Sequence, residues 1–81
     1  MDNKTKELIA IGSSMATNCM PCLEFHIGKA KSHGASMKEL IIASKIGIHV
    51  KAGAAEKMES YASKIIQGFS EEEVEDICNC D

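Results

Sequence analysis

The sequence predicts an all-α fold, a compact single-domain bundle of about five helices spanning residues 1–81. Three observations point there. Apolar residues recur at spacings of three and four, the period of a helix face. Strand-like alternation of β-branched residues is absent. The breaks between apolar runs carry helix-end residues: glycine, Ser or Asn caps, and the one proline, Pro21. No linker, low-complexity run or internal repeat divides the 81 residues, a length that fits one domain.

The first helix is expected over Lys4–Ala16, with Leu8, Ile11 and Met15 on one face. Thr17 and Asn18 interrupt it, and Asn18 is the expected N-cap of a second helix from Cys19 to about His33. Pro21 then falls in the first turn, where its missing N–H breaks no internal bond. Leu23, Ile27 and Ala30 form the inward stripe, and His33-Gly34 is a stop signal. Ser36 and Glu39 have capping-box spacing and open a third helix, with Leu40, Ile41, Ser44 and Ile48 as its stripe. Ile42 and Ile46 lie off that stripe; apolar surface this wide suggests a helix covered on both sides, by self-association or inside a bundle. Gly53 is the expected break before a fourth helix, Ala54–Gln67, bearing Ala55, Met58, Tyr61, Ala62, Ile65 and Ile66. Gly68 closes it. Ser70 and Glu73 form a second capping box for a short fifth helix. The methionines read as core filler, with Met15, Met37 and Met58 at stripe positions.

Composition narrows the function. Nine lysines, no arginine and twelve acidic residues give a net charge of −3. Nucleic-acid binders carry a basic patch in which Arg grips phosphates and bases, so no nucleic-acid partner is expected. The longest apolar stretch, residues 40–50, is interrupted by Lys45 and falls short of the roughly 18 residues of a membrane span. The Leu8–Ile11 run is too short for a secretory leader. A cytoplasmic protein is expected, in which a Cys pair is catalytic or metal-binding more often than structural. Four cysteines in 81 residues are too few for a disulfide-dense mini-protein.

The chemistry concentrates in Cys19-Met20-Pro21-Cys22-Leu23-Glu24-Phe25-His26. On a helix, Cys19 neighbours Cys22 at i+3, and Cys22 neighbours His26 at i+4. At a helix N-terminus the free N–H groups and the dipole favour thiolate over thiol. His26 is placed to take the thiol proton and return it to a leaving group. The second thiol can attack the oxidised first one, giving a cycle of thiolate, sulfenic acid, disulfide and reduction. Glu7 is a candidate third member. In an antiparallel hairpin it lies about 16 Å along helix one from the loop, and His26 about 10 Å along helix two, so the two can face each other. A carboxylate there would fix the imidazole tautomer. Each residue also has a plainer role: the cysteines as half of a zinc site with Cys78, Cys80 or His33, His26 as an interhelical histidine, Glu7 as a first-turn acid. Taken together, the spacing favours redox chemistry without metal or organic cofactor.

Glu7, eleven residues, Cys19-X-X-Cys22, three residues and His26 resemble the signature of the carboxymuconolactone decarboxylase family, in its alkylhydroperoxidase-D-like branch. The similarity runs from Glu7 through Gly34-Ala35 and Leu40 to Ala52 and Gly53. The resemblance implies an all-α fold with its active site on a helical hairpin, assembled as a homo-oligomer (trimer or hexamer). It implies thiol-dependent reduction of hydroperoxides, with Cys22 attacking the peroxide, Cys19 resolving, and Glu7 with His26 relaying protons. Helix electrostatics alone favour Cys19 as the attacking thiol. The reductant would be a dithiol protein, thioredoxin-like or lipoyl-bearing. The same couple in a general disulfide reductase or redox sensor, and a non-catalytic module with a structural Cys/His metal site, are the alternatives. Pro21 stands where peroxidase members often carry a second histidine, a departure that implies a shorter relay, or an activity that is weaker or directed elsewhere. The decarboxylase branch generally lacks the cysteine pair, so lactone decarboxylation is not expected. Cys78 and Cys80 have no place in the family pattern, and the acidic run 71–76 reads as a solvated helix start.

Overall fold

Helix α1 (Asn3–Ala16) begins where Asp2 accepts a hydrogen bond from the Thr5 backbone N–H at 2.7 Å. That bond satisfies one of the donors a helix start leaves free. The helix belongs to a computed structural model that describes residues 1–69. Two more helices follow, α2 (Met20–Ser32) and α3 (Met37–Ile66). No strand occurs among the described residues.

Both connections are Schellman turns, each built on a residue in the left-handed region. At the end of α2, Gly34 has φ +90°; its N–H reaches the Lys31 carbonyl and the Ala35 N–H reaches Ala30. At the end of α1 the same geometry is carried by Asn18, with φ +57°. Its N–H reaches Met15, and the Cys19 N–H reaches Ser14 at 3.0 Å. Asn18 is therefore the terminator of α1 and not the N-cap of α2. That role moves to Cys19, whose Sγ accepts from the Cys22 N–H. The Ser36–Glu39 capping box is present in full, with bonds of 2.9 and 3.1 Å.

Helix α1 is the middle element. It packs against α2 on one side and α3 on the other. Because α2 reverses the chain and α3 reverses it again, α1 and α3 run parallel with a nearly constant offset. Lys4 pairs with Glu39, Gly12 lies on Gly47, and Asn18 meets Lys51. The core is small: Ile11, Ala30, Leu40 and Ala43 are buried, with Leu8, Leu23, Ile27 and Ala35 packed around them. Ser14 is buried too, its hydroxyl donating to the Ala10 carbonyl at 2.8 Å.

Three expectations are corrected here. The third and fourth helices are one, because α3 runs through Gly53 without a break. A single glycine costs a helix about 1 kcal/mol, and good helix formers on both sides outweigh it. The described residues thus hold three helices, and the expected fifth, opened by Ser70 and Glu73, lies outside them. The buried stripe of α3 is Leu40, Ala43 and Gly47; Ile41 and Ile48 are exposed, as are Met37 and Met58. Small residues face α1 because the two backbones approach closely. The chain is also elongated, at 58 × 23 × 18 Å. Helix α1 ends opposite Lys51, and every described residue from Ala52 to Phe69 is exposed.

Candidate active site on the first two helices

The α1–α2 turn brings the candidate residues together. Since Cys19 is both the residue after the Schellman turn and the N-cap, Met20 and Pro21 occupy the first two helical positions and Cys22 the third. Proline is well suited there, as those N–H groups have no intrahelical partner. Both sulfurs therefore lie at the positive end of α2, where developing thiolate charge is favoured. Cys19 and Cys22 are joined as a disulfide, with Cα atoms 5.3 Å apart. Cys19 is half-buried; Cys22 is exposed.

One turn along α2 from Cys22, His26 faces α1 and meets Glu7. Its Nδ1 lies 2.6 Å from the Glu7 Oε1. A carboxylate can only accept, so Nδ1 carries the proton and donates it. In the neutral ring Nε2 then holds the lone pair, a base held in a fixed orientation. The side chains are 29 % and 18 % exposed, which shields the pair without closing it off. The Phe25 ring stands edge-on to the imidazole with centroids 5.1 Å apart, and the Lys29 ammonium lies 6.0 Å from the Phe25 centroid. Met20 and Phe25 are largely exposed beside the disulfide and, with Pro21 and Glu24, line a shallow cleft.

One neighbour of this site is absent from the sequence reasoning. The Lys51 ammonium, from α3, donates to the Asn18 Oδ1 at 2.6 Å and ties the third helix to the turn that presents Cys19. No local signal marks it; the pairing depends on how α3 docks against α1. Among the described residues no three His, Cys, Asp or Glu side chains are grouped to hold a metal ion. Cys78 and Cys80 lie outside the described residues. No helix there is long and apolar enough to cross a membrane.

Comparison with known proteins bears on the chain as a whole. The chain is 34 % identical over 55 residues to "Uncharacterized protein 4 in cox locus" of Paracoccus denitrificans, covering 68 % of this chain and 50 % of that protein. It thus spans about half the length of that curated relative. No solved structure matches it. Residues 1–62, the whole of the three-helix unit up to the last turns of α3, match one family. The chain belongs to the carboxymuconolactone decarboxylase family.

Proposed function

We propose that this protein is a thiol-dependent hydroperoxide reductase that works through the Cys19/Cys22 couple, with Glu7 and His26 as its proton relay. The observation that carries the reading is the 2.6 Å contact between His26 Nδ1 and Glu7, one turn from a cysteine pair at a helix N-terminus. A structural histidine does not need that company.

The cycle balances without a metal or organic cofactor. The Cys22 thiolate attacks a peroxide oxygen and the O–O bond breaks. The departing alkoxide takes a proton relayed by His26 and leaves as an alcohol, while Cys22 becomes a sulfenic acid. The Cys19 thiolate attacks the Cys22 sulfur; hydroxide leaves, takes a second proton and becomes water. An outside dithiol protein, thioredoxin-like or lipoyl-bearing, returns two electrons by exchange. Exposure of Cys22 supports it as the thiol that meets peroxide, and Cys19, half-buried and within disulfide reach of it, suits the resolving role. We place the protein in the cytoplasm, where such reductants operate, as a homo-oligomer of the trimer or hexamer type.

A second reading, a disulfide reductase or redox sensor acting on proteins, draws support from the exposed Met20 and Phe25 beside the disulfide. Apolar side chains of this kind suit a protein partner. Steady-state turnover of an organic hydroperoxide, compared with that of a protein disulfide, separates the two. Preference for the hydroperoxide, lost in Cys22→Ser together with peroxide-dependent sulfenate, is the expected result. Sulfenate at Cys19 in that variant, at the wild-type rate, would reverse the two cysteine roles. Stoichiometric zinc with both thiols protected would exclude either redox reading.

A further inference from the structure

Lys51 puts a charge on the face of α3 that is otherwise small and apolar. It follows Gly47 by four residues and so shares the side on which Leu40, Ala43 and Gly47 are buried against α1. One turn beyond the Gly12–Gly47 contact, α1 reaches its last residue, Ala16, and α3 reaches Lys51. Lys51 is half-buried there, and its ammonium donates to the Asn18 Oδ1 at 2.6 Å. Helix α1 has no basic residue in its own last turn, so Lys51 also brings a cation to a helix C-terminus, where one is favourable. Its acceptor has a second significance. Asn18 is the residue at φ +57°, and the next residue in the chain is Cys19.

We infer that Lys51 is a positioning residue for the Cys19/Cys22 couple: by clamping Asn18 it keeps Cys19 within disulfide reach of Cys22 when the pair is reduced. This rests on the proposed redox cycling of the pair, but not on peroxide as the oxidant. Cys22 is fixed by α2, as the third residue of that helix, whereas Cys19 is fixed only by the turn before it. Two ties come from α1: the Asn18 N–H to the Met15 carbonyl at 3.3 Å and the Cys19 N–H to the Ser14 carbonyl at 3.0 Å. The tie from α3 is Lys51. The left-handed conformation is costly for a residue with a Cβ, so an Asn18 released by Lys51 is freer to leave it and to carry Cys19 along. Groups ordered beforehand lose less entropy when they join, so the clamp makes the disulfide more stable relative to the dithiol. The positive charge acts the other way, because a cation near a thiol favours thiolate and hence the reduced form. Positioning outweighs charge here, since the ammonium is engaged by the Asn18 carbonyl oxygen on a turn where water and salt screen it. The two effects shift the redox equilibrium in opposite directions, so its sign tells them apart.

The full chain is equilibrated with mixtures of glutathione and glutathione disulfide, quenched by alkylation and digested with trypsin. Peptide 7–29 carries Cys19 and Cys22 without Cys78 or Cys80, and its mass reports their state. On oxidation the two thiols give up two protons and two electrons. The protein S–S bond forms as that of glutathione disulfide opens to two thiols. An exposed charged hydrogen bond is worth little, so a modest effect is expected. Lys51→Met should lower the equilibrium constant for disulfide formation about threefold, which is about 14 mV toward a more oxidising couple. Lys51→Arg, which can still donate to Asn18, should restore it. Lys57→Met removes an exposed lysine beyond the end of α1 and should leave the constant at the wild-type value. A merely structural Lys51 would stabilise oxidised and reduced protein alike; Tm would then fall equally for both forms in Lys51→Met, with the constant unmoved. That result, or a constant that rises in Lys51→Met, would overturn the inference. A wild-type chain that forms no Cys19–Cys22 disulfide at any glutathione ratio would instead remove the redox reading itself, and this inference with it.

Discussion

Gly12 of α1 and Gly47 of α3 meet backbone to backbone. A Cβ built on Gly47 would stand 2.9 Å from the Gly12 Cα and closer still to its carbonyl oxygen. This crossing sets the distance between the two helices, and so places Lys51 over the turn that carries Cys19.

Gly47→Ala is therefore expected to destabilise the protein. The gain in helix propensity is about 1 kcal/mol, but forcing α1 and α3 apart costs about 1–3 kcal/mol and opens the contacts around Ile11 and Ala43. Gly53→Ala should do the opposite, since nothing lies within 4 Å of its Cβ position and α3 is helical there. A gain of about 0.5–1 kcal/mol is expected. Thermal melts of the two variants, moving in opposite directions, check the assignment.

Asn18 adopts φ +57°, a conformation that disfavours residues with an ordinary Cβ. Asn18→Ala should cost about 1–2 kcal/mol, through backbone strain and loss of the Lys51 hydrogen bond. Asn18→Gly relieves the strain and should fall between wild type and Ala. Denaturant midpoints of the three proteins test that order.

Glu7→Gln keeps an acceptor near His26 but removes the negative charge that stabilises the protonated ring. On the peroxidase reading, kcat is expected to drop by about tenfold or more with the fold unchanged, and His26→Ala by about 10²-fold or more. Unchanged turnover in both variants, with native circular dichroism, would remove the relay from the mechanism.

The Glu39 carboxyl is held below the ordinary carboxylate range, mainly by the Ser36 backbone N–H and then by Lys4. Because the folded value is depressed, the unfolded chain binds the proton more readily through that window. Stability from this group is thus complete above the ordinary value of 4.5 and is lost as pH falls through the folded value. Glu39→Gln, which preserves capping-box hydrogen bonding, should flatten the fall in Tm with pH below about 4.5. Unaltered acid dependence in this variant would show that the group contributes nothing there.

Short-range chemistry was legible in the chain itself. The Ser36–Glu39 box, the Gly34 stop and the all-helical class follow from caps and periodicity, because each depends on residues three to five apart. The Glu7, Cys19, Cys22 and His26 spacing pointed to the family for the same reason, and two helices of known length were enough to suggest that Glu7 and His26 share a face. The one-residue shift at Asn18 and Cys19 was not legible, since Asn serves equally as an N-cap and as a left-handed terminator. Gly53 was misleading because a glycine ends a helix only when its neighbours do not continue it.

What the sequence determined by itself was therefore the helical class, the capped start of α3 at Ser36 and the family. Tertiary structure alone decided the Gly12–Gly47 crossing, the Lys51–Asn18 tie and the choice of Ala43 and Gly47, not Ile41 and Ile48, as the buried side of α3. The physical reason is range. A cap or a motif is settled by neighbours along the chain, whereas which face of a helix is covered depends on how closely a second helix, some 35 residues away, can approach it.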